Sequence, residues 1–146
     1  MKTLLQGLAL ALLVSTPAFP ETPDEAALRV LDEFMTAFNA RDAKTWSETL
    51  HYPHVRIASG DVAVYQSAKE RADQMDFDAF AKRFNWARSA WLEREIVQSG
   101  KDKVHIVVKF ARYDADGNAT KTFDSLYIVT EQEGRWGVKA RSSFAP

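Results

Sequence analysis

The sequence predicts an α+β fold, with helices first and a meander of antiparallel strands after them. Two observations predict it. Apolar residues recur at three- and four-residue spacing near the start of the chain, and at strict two-residue spacing through its last third. Turn signals divide that last third into four long segments. The 146 residues suit one domain, and 46% are hydrophobic, including nine Phe, four Trp and four Tyr.

The chain begins with Lys2, an apolar run from Leu4 to Val14, and the small-residue exit Ser15-Thr16-Pro17-Ala18. A basic start, a short hydrophobic stretch and a small-residue cleavage site describe a secretory signal peptide. Residues 1–18 are therefore expected to be a cleaved leader and residues 19–146 the mature domain. An uncleaved anchor or a buried N-terminal helix are the other readings of the run. It is short of the roughly 20 apolar residues needed to span a bilayer, so no stable membrane insertion is expected after cleavage. The predicted location is exported, either periplasmic or extracellular.

In the mature chain Thr22, Pro23 and Glu25 form an N-cap, a first-turn proline and a capping-box glutamate. Ala27, Val30, Leu31, Phe34, Met35 and Phe38 then share one stripe, predicting a helix to about Asn39. Asp42 caps a second, shorter helix carrying Trp46 and Leu50, which cannot pass Pro53. From Val55 the pattern alternates, turns at Ser59-Gly60-Asp61 and alternates again through Val62 and Val64. Asp76 to Phe84 reads as a third short helix. Trp91–Ser99, Lys103–Tyr113, Thr120–Glu131 and Arg135–Phe144 are the four long strands, with turns at Gly100, Asp116-Gly117 and Glu133-Gly134.

Treating the last two turns as two-residue hairpins sets the register. Phe110 should face Phe123, Tyr127 should face Ala140, and Phe123 should face Phe144. One sheet face then collects Val104, Ile106, Val108, Phe110, Phe123, Ser125, Tyr127, Val129, Trp136, Val138, Ala140, Ser142 and Phe144, which the helices should cover. The other face is mixed, with Lys109 opposite Asp124. A one-residue slip would exchange the faces. Trp91, Glu93 and Glu95 alternate together and, with Leu126 and Ile128, suggest an outer surface suited to a second subunit.

Composition excludes several classes. There is no cysteine, hence no disulfide, thiolate metal site or Cys nucleophile. The formal net charge is −1, one unit more negative without a leader whose only charge is Lys2, and no basic stripe marks a nucleic-acid binder. No Gly-rich phosphate loop or Ser-His-Asp order is present, so no cofactor is expected.

Phe38-Asn39-Ala40-Arg41-Asp42 with Trp46 downstream resembles the opening of the nuclear transport factor 2-like superfamily, including its SnoaL-like members. Trp136-Gly137-Val138-Lys139-Ala140-Arg141-Ser142-Ser143-Phe144 is similar to that superfamily's last strand. The resemblance runs from about Asp24 to Phe144. It implies a cone, a strongly curved, mostly antiparallel sheet wrapped around about three N-terminal helices, with a pocket between them. It also implies a homodimer through the outer sheet face. Relatives include isomerases, dehydratases, cyclases and transport adaptors, so fold does not deliver function.

His51-Tyr52-Pro53-His54-Val55-Arg56 carries the most chemistry in the shortest span. Imidazole exchanges protons near neutral pH, which makes His51 or His54 the natural general base of a cofactor-independent lyase or isomerase, with Tyr127 as hydrogen-bond donor. The plain structural account is one imidazole capping the second helix and the other bonded to backbone. In a strand starting at His54, His54 and Arg56 share a side, which Tyr65 joins. Pro53 keeps the two histidines off a common helical face, and no third ligand sits at metal spacing, so no metal site is expected. Isomerase relatives pair a pocket carboxylate with a tyrosine; Tyr127 has the parity for this, whereas Asp124 lies outward. Trp46, Tyr52, Arg56, Trp86, Phe110, Phe123, Ser125, Ser142 and Phe144 are the candidate ligand-binding residues, although the aromatic ones also fit a plain core. Arg94 and Arg112 have inward parity and could hold an acidic group, or snorkel to water. The leading expectation is an exported domain with an apolar pocket for a small molecule. The alternatives are the histidine-dependent enzyme and a homodimeric interaction module.

Overall fold

The computed structural model describes residues 20–146; the expected leader at 1–18 lies outside the described residues. The first helix, α1 (Pro23–Asn39), opens with a reciprocal capping box. Glu25 N–H donates to Thr22 Oγ1 at 3.3 Å, and Thr22 N–H donates to Glu25 Oε2 at 2.9 Å. Its apolar stripe buries Ala27, Val30, Leu31, Phe34 and Met35. Fully burying a side chain such as Leu31 stabilises the fold by about 1.5–3 kcal/mol.

Asp42 caps α2 (Ala43–Glu48) by accepting from Thr45 N–H at 3.0 Å. Leu50 is not in this helix as expected but opens β1 (Leu50–Ala58), which turns into β2 (Asp61–Tyr65). Two short helices follow, α3 (Ala68–Asp73) and α4 (Phe77–Phe84). The pattern predicts only the second of these, so the described residues hold four helices where about three are expected. Then come β3 (Arg88–Ser99), β4 (Lys103–Tyr113), β5 (Ala119–Gln132) and β6 (Arg135–Ser143).

The six strands form one open sheet in the order β2-β1-β6-β5-β4-β3. Every neighbouring pair is antiparallel except β1 with β6. The helices cover the inner face, where Val104, Ile106, Val108, Val129 and Val138 are at most 1% exposed. This is the expected α+β architecture, with register irregularities in β1, β3 and β6 that bend the strands. Among the described residues no helix is long and apolar enough to cross a membrane.

Phe110 faces Phe123, and Lys109 faces Asp124, as counted from the turns. Beyond Val138 the count fails. Val129 pairs with Val138 but Ile128 pairs with Ala140, leaving Lys139 as an extra residue in β6. Parity reverses there, so Tyr127 faces Arg141 rather than Ala140. Arg141, Ser143 and Ala145 turn inward. Ser142 is exposed, and Phe144, 75% exposed, stands outside the core. A second irregularity between Trp91 and Glu93 sends Trp91 inward, against Phe110 and Tyr127, instead of outward with Glu93.

Candidate functional site

A cavity of about 260 Å³ opens between the helices and the sheet's inner face. The α1 stripe supplies Phe34, Met35 and Phe38, and α2 supplies Trp46. The sheet contributes Trp91, Phe110 and Tyr127. Phe34 meets Tyr127 edge-on at 5.8 Å, and Trp91 meets Tyr127 at 5.7 Å. The helix α4 lays Phe80 and Phe84 along one side.

The polar part of the wall is cationic. Arg56 from β1, Arg71 from α3, Arg112 from β4 and Arg141 from β6 all border the cavity, with Arg83 also on its wall. Aromatic faces hold several guanidiniums in place without neutralising them. The Arg71 guanidinium lies 4.3 Å from the Trp46 ring and 4.5 Å from Tyr65. Arg112 sits among Phe80, Phe84 and Phe123 at 4.6–4.9 Å. Arg56 donates to the Ala145 carbonyl at 3.2 Å, and Arg141 to the Tyr127 hydroxyl at 3.3 Å. Burial, followed by repulsion from Arg141 and Arg56, lowers Arg112 to about 10. Arg71 is also drawn down to about 10, by burial above all. Both stay protonated at neutral pH.

Of the residues proposed from sequence, Trp46, Arg56, Phe110 and Tyr127 border this cavity. Phe123 stands behind it, against Phe110 and under Arg112. Trp86 is buried nearby, its indole N–H donating to Ser89 Oγ at 2.9 Å, and Ser89 itself lines the wall. Tyr52 donates to the Ser47 carbonyl at 2.7 Å, and burial raises its phenol to about 12. Ser125 donates to Ser143 Oγ at 2.7 Å and so serves strand pairing. Ser142 and Phe144 are removed from the site by the extra residue at Lys139.

His51 and His54 are buried but outside the cavity lining. His51 Nδ1 lies 3.0 Å from Thr130 Oγ1, and its ring packs on Gly137, where an added Cβ would meet Cδ2 at 2.8 Å. His54 Nδ1 lies 3.0 Å from the Val138 carbonyl, which makes this nitrogen the protonated one. The expected parity of His54, Arg56 and Tyr65 holds, with the His54 and Tyr65 rings stacked at 6.3 Å. Burial lowers both imidazoles to about 4, so each is neutral at pH 7. No group of three His, Asp or Glu side chains is placed to hold a metal among the described residues.

Arg71 and Arg141 were not anticipated. Arg71 lies in an unpredicted six-residue helix, and Arg141 changes face at the β6 irregularity. Of the two inward arginines that parity selects, Arg112 reaches the cavity, whereas Arg94 pairs with Asp32 at 2.6 Å.

Helices seated on an open, bent, mostly antiparallel sheet, with a cavity between the layers, define the NTF2-like class of α+β domains. The chain belongs to the family described as NTF2-like protein (DUF6841), which matches residues 24–143. No curated protein sequence matches it. Among solved structures it is similar to a Nostoc punctiforme protein of unknown function with a cystatin-like fold. That pair shares 15% identity over 81% of this chain and 86% of the other, with a TM-score of 0.65. An NTF2-like protein from Novosphingobium aromaticivorans is 12% identical, with a TM-score of 0.66 over 83% and 80% of the two chains. Another, from Shewanella oneidensis, is 14% identical, with a TM-score of 0.64 over 84% and 98%. At these identities the likeness is one of fold.

Proposed function

We propose that the protein is an exported small-molecule-binding domain whose ligand occupies the cavity between the α1 stripe and the inner sheet face. The observation that carries this reading is the space itself: about 260 Å³ walled by Phe34, Phe38, Trp46, Trp91, Phe110 and Tyr127. Apolar walls with a few oriented polar groups are what ligand sites use. A dry cavity of about 150 Å³ already accepts benzene, so the volume here suits a single ring with a substituent. Catalysis by His51 or His54 has less support, because neither imidazole borders the space.

Native mass spectrometry of freshly purified protein, paired with tryptophan fluorescence, tests the reading, since Trp46 and Trp91 both border the cavity. A retained molecule, or a saturable fluorescence change with one equivalent of a ring compound, is expected. Bare chain by mass, with no saturable response to any single-ring compound, would overturn it. Export is tested on protein from the native host, where an N-terminus beginning after Ala18 is expected and an intact Met1 would refute it.

A homodimer through the outer sheet face is a second reading, supported by a specific surface. The strand registers align Val62, Ile57, Ser142, Leu126 and Val107 in one row and Val64, Val55, Ala140 and Ile128 in the next. Of these, Val62 is 65% exposed and Val64 47%. Sedimentation should give a dimer that Val107→Lys dissociates; a monomer at every concentration would refute it.

A further inference from the structure

The charged side chains that border the cavity are all arginines. Arg56, Arg71, Arg112 and Arg141 bring four guanidiniums to it from four separate elements, Arg83 of α4 adds a fifth, and no carboxylate side chain borders it. The ion pairs among the described residues involve none of these four. Residues 1–19 contain no Asp or Glu. Arg112 is only 6% exposed, so its charge is largely withdrawn from water without a counter-ion. Such a charge is costly to bury unless something pairs with it.

Unmet hydrogen-bond demand points the same way. Trp46 Nε1, Trp91 Nε1 and Arg141 Nε are buried without a partner, and all three belong to side chains on the cavity wall. Indole and guanidinium nitrogens only donate. These three donors lack acceptors and the cavity arginines have no paired carboxylate side chain, and a bound group supplying both would relieve both deficits. The forked guanidinium geometry matches carboxylate and phosphate oxygens two at a time. Around that polar part, Phe34, Phe38 and Phe110 present apolar faces that an inorganic anion leaves unused.

We propose that the cavity takes a small organic oxyanion, a carboxylate or phosphate monoester on a single apolar ring. The oxyanion is held by Arg56, Arg71, Arg112 and Arg141. This rests on the reading of the cavity as a ligand site and adds the charge and chemical class of the occupant.

Four probes separate the possibilities: phenylacetate, its neutral isostere phenylacetamide, phenyl phosphate and inorganic phosphate, each titrated into the full protein at low salt. Tryptophan fluorescence and calorimetry read the binding. At least one ring anion should bind tenfold or more tightly than phenylacetamide. The tighter of phenylacetate and phenyl phosphate identifies the oxyanion as carboxylate or phosphoryl. Arg112→Met and Arg141→Met should each cut the preference for the anion at least fivefold while phenylacetamide affinity stays within twofold. Arg112→Lys should keep part of it. Near-UV circular dichroism checks that the variants fold, and the wild-type comparison decides the matter even if they do not. Phenylacetamide binding as tightly as both ring anions would overturn the oxyanion assignment and leave the ligand site standing. Inorganic phosphate matching phenyl phosphate would overturn the apolar ring. Saturable binding by none of the four would overturn both readings.

Discussion

Acidification from pH 7 to 5 loads two buried imidazoles that the native protein keeps neutral. His51 and His54 are 3% and 4% exposed, and burial lowers both to about 4, from 6.5 for an open imidazole. Above pH 6.5 both are neutral in either state and contribute no pH dependence. Between 6.5 and 4 the unfolded chain binds the two protons that the native chain refuses, so stability falls as pH falls. Below about 4 the native imidazoles protonate too, and this loss stops growing. With about 1.4 kcal/mol per pKa unit, the drop from pH 7 to 5 is roughly 2 kcal/mol for each histidine, or about 4 kcal/mol together. That is a large part of the 5–15 kcal/mol that holds a domain folded. Carboxylates held below their usual range, such as Asp42 by its bonds from Thr45, act at lower pH and leave this window to the imidazoles. Urea unfolding at half-unit steps measures the slope, and the midpoint should fall by roughly 2 M between pH 7 and 5. The double variant His51→Asn/His54→Asn, which keeps a donor near each Nδ1 position, should flatten the dependence. A midpoint constant across that range in the parent protein, or a slope unchanged in the double variant, would refute the assignment.

Gly137→Ala should destabilise the protein by about 1–3 kcal/mol in urea unfolding, because the new methyl meets His51 Cδ2 at 2.8 Å and Nε2 at 2.9 Å. Asn39→Ala should cost about 2–3 kcal/mol. Its amide donates to the Ser89 carbonyl at 2.9 Å and accepts from Ser89 N–H at 2.8 Å, tying the end of α1 to β3. Ser143→Ala removes the acceptor of both the Ser125 hydroxyl at 2.7 Å and Ala145 N–H at 3.1 Å. A loss of about 1–3 kcal/mol is expected from those orphaned groups, and thermal unfolding checks it.

Where local chemistry decides the structure, the sequence is legible. The capping box at Thr22 and Glu25 sets the start of α1, and the long strands follow from alternation and turns. Phe110 opposite Phe123 survives even though the connection around Asp116-Gly117 is longer than two residues, because the β4–β5 count holds through Arg112 and Lys121. The helix α3 is illegible for a physical reason. It has six residues, buries none of them, and offers no apolar stripe. Its role is to carry Arg71 to the cavity, which hydrophobic periodicity cannot register.

The cavity's charge has the same obscurity for a deeper reason. Parity selects Arg56 and Arg112 but cannot distinguish a cavity arginine from one that snorkels to water, and four arginines on four elements have no spacing that a motif could record. Their convergence is a property of strand pairing. One inserted residue, Lys139, gives β6 the inner-face sequence Val138, Arg141, Ser143, Ala145 in place of Val138, Ala140, Ser142, Phe144. Without it a methyl would point inward where the Arg141 guanidinium now stands, and the Phe144 ring where Ala145 now stands. Lys139 itself is held by donating to the Tyr52 carbonyl at 3.1 Å, beside the irregular stretch of β1 between Leu50 and Val55. Two neighbouring strands thus depart from regular pairing at the same place, and the departure decides whether Arg141 or Ala140 faces the cavity opposite Tyr127. Alternation alone therefore locates the cavity and finds Arg56 and Arg112 but misses Arg141, because that guanidinium's place is written in the one residue that breaks the period.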